Sequence, residues 1–213
     1  MKAYLIGGLA ADERVFRHLR FPEHYQRQFL NWIVPLENES LESYAKRMAE
    51  QIDTSGKFIL VGVSFGGMLA TEISRLFPAE KTILIASVPH PSHLPGYFRW
   101  MQRARLPKII PIGMIKKTVM INRLFTAETS EDKEIIREMV RAADARFIRW
   151  ALTAALEWKG AGENMECIHI HGSKDIVFPI RYTKPSHTVN MGGHLMVMDR
   201  ANDINKILAS LLR

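Results

Sequence analysis

Cysteine is nearly absent from this 213-residue chain, with Cys167 standing alone. One thiol cannot build an internal disulfide framework, which fits a reducing compartment. Ile168 and Ile170 beside it read as strand, so Cys167 is expected to be a packed thiol rather than a nucleophile. Long apolar runs are missing as well, none reaching the roughly 20 residues of a bilayer-spanning helix. Asp12, Glu13 and Arg14 cut off the N-terminal apolar run too early for a secretory signal. The expectation is a soluble, cytoplasmic protein. No internal repeat, low-complexity tract or linker stands out. Metal-ligand clusters, phosphate loops and dinucleotide fingerprints are absent too, so no cofactor and no metal are implied. Acidic residues are missing from residues 88–127, where Arg99, Arg103, Arg105, Lys108, Lys116, Lys117 and Arg123 are all basic. Those seven charges equal the net charge of +7, so the rest of the chain is balanced.

What is present begins with an ordinary apolar content of 47%, enough for a normal core and against disorder. The length suits one domain, or one domain with a sizeable insertion. The stretch from Lys57 to Leu76 organises the rest. Phe58-Ile59-Leu60-Val61 is an apolar run of the kind buried on both faces of a parallel sheet. Met68 to Phe77 reads as a helix stopped before Pro78. Between them Gly62-Val63-Ser64-Phe65-Gly66 matches G-x-S-x-G. A strand turning this sharply into a helix strains its central residue and presents the Ser64 hydroxyl at the strand's carboxyl end. The flanking glycines let strand and helix approach closely.

Lys2 to Ile6 reads as a strand running into Gly7-Gly8, and Ala11 to Leu19 has helical spacing through Val15, Phe16 and Leu19. Gln28 to Val34 resembles a second strand, Glu39 to Ile52 a helix capped by Ser40, and Lys81 to Ala86 another strand. Alternation of this kind builds parallel α/β sheets, with sites at the strands' carboxyl ends. From Pro89 to Gly162 no strand is convincing. Prolines punctuate its first half, and residues 130–159 read as one broken or two short amphipathic helices. Such an insertion usually sits over the sheet as a lid. Strands resume at Cys167 to Ile170 and Thr188 to Asn190, and a helix from about Ala201 to Leu212 closes the chain.

A serine needs a base to take its proton, and the base needs an acid to hold its tautomer. Of eight histidines, His18, His24, His90, His93, His169, His171 and His187 lie in helices, strands or the Pro-rich start of the insertion. His194 follows Met191-Gly192-Gly193 just past the last strand, where a loop could reach over the sheet edge. Asp175 sits in a turn after the strand that ends at His171. The loop after Ala86 offers no acid, while Asp199 and Asp203 read as the start of the terminal helix.

In the order Ser64, Asp175, His194 the chain resembles the α/β-hydrolase family over nearly its whole length. The resemblance places Ser64 on the nucleophile, Asp175 on the acid within Gly-x-x-Asp-x-x-x-Pro, and His194 on the base within Gly-Gly-His. It implies a three-layer α/β fold with residues 1–88 and 163–213 as core and 89–162 as an inserted helical cap. Where the family usually carries His-Gly after the first strand of this chain, Gly7-Gly8 stands instead. The oxyanion donors implied are the backbone N–H groups of Leu9 and Phe65. The family's first two antiparallel strands are missing, leaving a mainly parallel six-stranded sheet of order 2-1-3-4-5-6. Its new edge strand, Gln28 to Val34, either pairs with another molecule, such as a second copy of the chain, or is simply protected by charge and Pro35.

The implied reaction is hydrolysis of a small or medium carboxylic ester through an acyl-enzyme. Thioester, lactone and carbon–carbon cleavage use the same three residues, and a non-catalytic ligand-binding protein on this scaffold is the alternative of another class. A dehalogenase would carry Asp at position 64. The basic stretch, interleaved with Phe98, Trp100, Ile109, Ile110, Ile112, Met114, Ile115, Val119, Met120 and Ile121, reads either as a solvated outer face whose apolar side covers the pocket or as a preference for anionic ester substrates or, less strongly, a membrane surface. Nucleic acid is not expected, because no binding motif accompanies the charge.

Overall fold

A computed structural model describes residues 1–111, 114, 127–162 and 165–213. β1 (Lys2–Ile6) lies beside β2 (Gln26–Phe29), with a 3₁₀ turn at Glu13–Phe16 between them. α1 (Leu41–Met48) leads into β3 (Phe58–Val63), α2 (Phe65–Leu76) and β4 (Lys81–Ile85). Between β4 and the next strand come α3 (Gly96–Arg103), α4 (Leu106–Ile109), α5 (Ser130–Ala142) and α6 (Ala145–Glu157). β5 (Ile168–Gly172), β6 (His187–Val189), α7 (Met196–Asp199) and α8 (Ala201–Leu211) complete the fold. The six strands pair in the order β2-β1-β3-β4-β5-β6, every pair parallel.

Every residue of β3 is buried. Alternate side chains serve opposite faces of the sheet, as the pleat requires. Ile59, Val61 and Val63 join Ile204 and Leu208 of α8 and Ile136, Met139 and Val140 of α5. Phe58 and Leu60 join Tyr44 and Met48 of α1, Met68 and Leu69 of α2, and Phe147 and Ala151 of α6. The helices between β4 and β5 therefore extend both cores. α6 is further fixed by an aromatic cluster, in which Trp150 stacks on Tyr44 at 4.2 Å and Phe147 meets Trp32 at 5.0 Å between ring centroids. The Trp150 Nε1–H donates to the Glu39 carbonyl at 2.8 Å. Side chains start these helices: Ser40 accepts from the Ser43 N–H, Thr129 from Asp132, and Asp144 from Arg146.

Two elements differ from the sequence expectation. The stretch from Ala11 to Leu19 forms only the short 3₁₀ turn, opened by Asp12 accepting from the Arg14 N–H at 3.0 Å. Its three apolar residues are buried without a longer helix, because one turn is enough to put Val15 and Phe16 into the core. The second strand runs over Gln26–Phe29 rather than Gln28 to Val34. β1 ends at Ile6, so the last pair is Leu5 with Phe29 and residues beyond have no strand to join. The Asn31 N–H donates instead to Gln51, and the Ile33 N–H to the Tyr44 hydroxyl. The edge strand that remains is short and polar, a usual protection against edge-to-edge pairing. Among the described residues no helix is long and apolar enough to cross a membrane.

Candidate active site

Ser64 stands alone between the end of β3 and the start of α2. It adopts φ 52° and ψ −120°, a conformation that costs an L-residue about 1–3 kcal/mol unless its surroundings impose it. Here they do. The Ser64 N–H donates to the Ile85 carbonyl at 3.0 Å, and the Ser64 carbonyl accepts from the Gly67 N–H at 2.9 Å. The Ser87 hydroxyl donates to the same carbonyl at 2.6 Å. A Cβ on Gly66 would collide with the carbonyls of Ile6 and Gly7, so only glycine lets α2 begin this close to β1.

Asp175 and His194 arrive on two loops laced together. The Ser173 N–H donates to Val189 at 3.0 Å and the Lys174 N–H to Gly192 at 2.8 Å. Gly172 lies so close to the Gly192 carbonyl that a Cβ would not fit. This brings the His194 Nδ1 to 2.9 Å from Asp175 Oδ2, and the His194 Nε2 to 2.9 Å from Ser64 Oγ. Both Asp175 and His194 are buried. Asp175 Oδ1 accepts from the N–H groups of Val177 and Phe178 at 2.8 and 2.9 Å. Burial alone would push this carboxyl up, but the His194 ring and these hydrogen bonds outweigh it and hold it below its ordinary value. An ionised carboxylate only accepts, so Nδ1 carries the proton and Nε2 turns a bare lone pair to the Ser64 hydroxyl.

Behind Asp175 lies a second buried pair that the sequence placed only as strand and strand-end histidines. The Phe178 carbonyl can only accept, so His171 Nε2–H donates to it at 2.7 Å. His171 Nδ1 then accepts from His169 Nε2–H at 2.9 Å. His171 Nε2 is also 3.6 Å from Asp175 Oδ2. Burial pushes both rings down, His169 to about 3 with help from its neighbour His171, so both are neutral at pH 7. Phe178 itself lies edge-on to the His194 ring at 5.4 Å. The signal for this pair was available, because residues two apart on a strand share a face. The Ser87 clamp had no comparable signal.

The other histidines are elsewhere. His18 lies 3.1 Å from Asp132, His24 stacks on Tyr25, and His187 lies in β6. His90 and His93 border a separate cavity of about 290 Å³ with Cys167 and His169. Burial pushes the Cys167 thiol up to about 11, so it is a packed thiol and a poor nucleophile. Among the described residues no group of three or more His, Cys, Asp or Glu is placed to hold a metal ion.

The Leu9 and Phe65 N–H groups have no hydrogen-bond partner among the described residues. A small cavity of about 40 Å³ opens beside Ser64 and His194. Leu9, Val15, Ile136, Met139, Val140 and Leu195 give it apolar walls. A far larger depression, of about 950 Å³, lies between residues 35–42 and α6 and includes neither Ser64 nor His194. Arg99, Arg103, Arg105 and Lys108 are exposed and none lines the small cavity. Lys116, Lys117 and Arg123, with Ile112, Ile115, Val119, Met120 and Ile121, lie outside the described residues.

A strained serine between a parallel strand and a helix, hydrogen-bonded to a histidine and on to an aspartate, defines a class of α/β fold. The chain belongs to the alpha/beta hydrolase family, whose model matches residues 12–206. An uncharacterised protein of Mycobacterium tuberculosis is 24% identical over 193 residues. That match takes in 78% of this chain but 56% of the relative, so the chain spans about half the length of the curated relatives it matches. MenH from S. aureus superposes with a TM-score of 0.76 at 15% identity, covering 100% of this chain and 93% of that one. A thermophilic esterase from Thermogutta terrifontis gives 0.71 at 19% identity, covering 100% and 89%. A carboxylesterase structure from Nitrososphaera gargenis gives 0.74 at 14%, covering 99% and 89%.

Proposed function

We propose that this hydrolase cleaves carboxylic esters through an acyl-enzyme on Ser64, with His194 as general base and acid and Asp175 as its orienting carboxylate. The observation that carries the reading is the unbroken hydrogen-bond chain from Ser64 Oγ through His194 to Asp175, with both links at 2.9 Å. His194 Nε2 takes the Ser64 proton as Oγ attacks the carbonyl carbon. The oxyanion that forms rests on the Leu9 and Phe65 N–H groups, which have no hydrogen-bond partner among the described residues. His194 then gives its proton to the leaving oxygen, and water repeats the cycle to release the acid. Losing one oxyanion donor costs about 3–4 kcal/mol of barrier in well-studied cases, so the hole matters as much as the base.

Residues 89–162 act as a cap on the core formed by residues 1–88 and 163–213, and the single cysteine fits a cytoplasmic setting. Neighbours described as esterases favour an ester over the thioester, lactone or carbon–carbon substrates that the same three residues also cleave. The test is a serine-reactive phosphonate followed by peptide mass spectrometry, alongside turnover of 4-nitrophenyl acetate. The adduct should fall on Ser64 and abolish turnover. Full labelling of a Ser64→Ala variant would sink the assignment.

A further inference from the structure

We infer that the cavity beside Ser64 holds the acyl arm of the substrate and admits only short, uncharged arms, so that the enzyme acts on esters of two- to four-carbon acids, with α5 setting the limit through Met139. The inference rests on the reading of Ser64 as nucleophile. The cavity measures about 40 Å³. Pockets that bury drug-sized ligands run to roughly 300–1,000 Å³, so this one suits a much smaller group. With the carbonyl carbon held at Ser64 and its oxygen at the two N–H groups, the space that remains suits only a short chain of carbons. Among the described residues the lining carries no charged side chain, which disfavours a carboxylate or ammonium on this arm.

The arm in question is the acyl one because it stays bonded to Ser64 through both steps, whereas the alcohol must depart between them. A cavity walled by the turn after β1 on one side and α5 on the other suits the group that remains. The wall is also anchored. Ile136, Met139 and Val140 face the cavity from one side of α5. The Asp12 N–H donates to Met139 Sδ at 3.4 Å, which ties that side chain to the turn after β1. Arg14 reaches Glu138 at 2.6 Å and Arg17 reaches Glu131 at 2.6 Å on exposed positions of α5, and His18 reaches the buried Asp132 at 3.1 Å. The two arginine pairs are partly exposed, and their role is to set where the helix sits rather than to supply much stability.

The first experiment uses the unmodified protein and 4-nitrophenyl alkylphosphonates whose P-alkyl chain runs from methyl to octyl. The P-alkyl group stands in for the acyl arm. The rate of Ser64 labelling should be highest for the short chains and at least about 10-fold lower at octyl, since one poorly fitted methylene in an apolar pocket is worth about 10- to 200-fold. Equal labelling across the series overturns the length limit but keeps the nucleophile. Absence of labelling by every member overturns the nucleophile instead. The second experiment compares kcat/KM for 4-nitrophenyl acetate, butyrate and octanoate in the wild type and in Met139→Ala. Removing three heavy atoms from the wall should move the optimum two to three carbons longer, chiefly through KM. A chain-length profile in Met139→Ala parallel to the wild type would show that α5 is not the stop.

Discussion

Lowering the pH from 7 to 5 should cost this fold about 2 kcal/mol through His169 alone. His169 is 3% exposed, and burial, then the neighbouring His171, pushes its ring down to about 3. In the unfolded chain it titrates near 6.5. At pH 5 the unfolded ring is almost fully protonated while the folded ring remains neutral, so the unfolded state binds more protons and stability falls with pH. Each unit below 6.5 costs about 1.4 kcal/mol, and one and a half units give about 2 kcal/mol. The loss continues until the folded ring itself protonates near 3. His171, also pushed down by burial, adds a contribution of the same sign. Asp175, the carboxylate facing the pair, acts in a separate window. Its folded value lies below the ordinary one, so its stabilisation is complete above about pH 4 and is lost only below that. His93, the other ring facing His169, is likewise pushed down by burial and stays neutral at pH 7. Urea unfolding of the wild type and His169→Gln at pH 7 and pH 5 isolates the effect, since a Gln amide can still donate to His171 Nδ1 but does not titrate. The wild type should lose about 2 kcal/mol more than the variant between the two pH values, about 1 M in urea midpoint. Equal losses in the two proteins would refute the assignment of a neutral buried ring.

Asp175→Asn should leave the melting temperature within a few degrees of wild type yet lower kcat by ~10⁴, as the same change does in serine proteases, because an amide N–H facing Nδ1 puts the His194 proton on the wrong nitrogen. Near-normal turnover would place the acid elsewhere. Gly66→Ala should abolish cooperative unfolding or the soluble protein itself, since its Cβ meets the backbone carbonyls of Ile6 and Gly7, which cannot move without breaking β1. A wild-type urea midpoint would contradict that. For an ester whose alcohol arm carries a carboxylate, kcat/KM should fall as salt rises past 0.1 M, where the screening length is about 10 Å, because exposed Arg99, Arg103 and Arg105 attract it. Identical salt curves for charged and neutral esters of equal length would reduce these charges to surface solvation.

The sheet and the site were largely legible because both are written in local pattern. Phe58 to Val61 is apolar without a break and therefore buried on both faces, and the serine between Gly62 and Gly66 needs nothing distant to be recognised. The order of Ser64, Asp175 and His194 along the chain then singles out one carboxylate and one histidine from several, the two that lie in line with the Ser64 hydroxyl. What escaped depends on contacts far apart in sequence. Trp32 and Ile33 have strand-like composition, yet β1 is too short to pair with them, and aromatic residues of α1 and α6 take them instead. Met139 gives no sign in the sequence that its sulfur will meet a backbone N–H 127 residues away. His169 and His171 could have been read as a same-face pair, but the direction of their proton chain depends on the Phe178 carbonyl, which folds back over them.

Strain and stability are kept apart in this molecule. Ala10, Ser64, Ala86 and Met191 all have positive φ, and they follow β1, β3, β4 and β6 at the same edge of the sheet. None is glycine, so each costs free energy that glycine would not. Replacing Ser64 by glycine would relax the backbone but remove the hydroxyl that meets His194 Nε2 at 2.9 Å, so at that position the cost comes with the hydrogen-bond chain. The other three residues have no such requirement of their own. They lie on the turns that set the Leu9 N–H, the Ser87 clamp on the Ser64 carbonyl, and the loop bearing His194. The sheet below can carry this cost because its central strands are buried on both faces between two apolar clusters. A parallel sheet brings every strand's carboxyl end to one edge, so groups from four separate turns meet around one serine without weakening the layers that hold them.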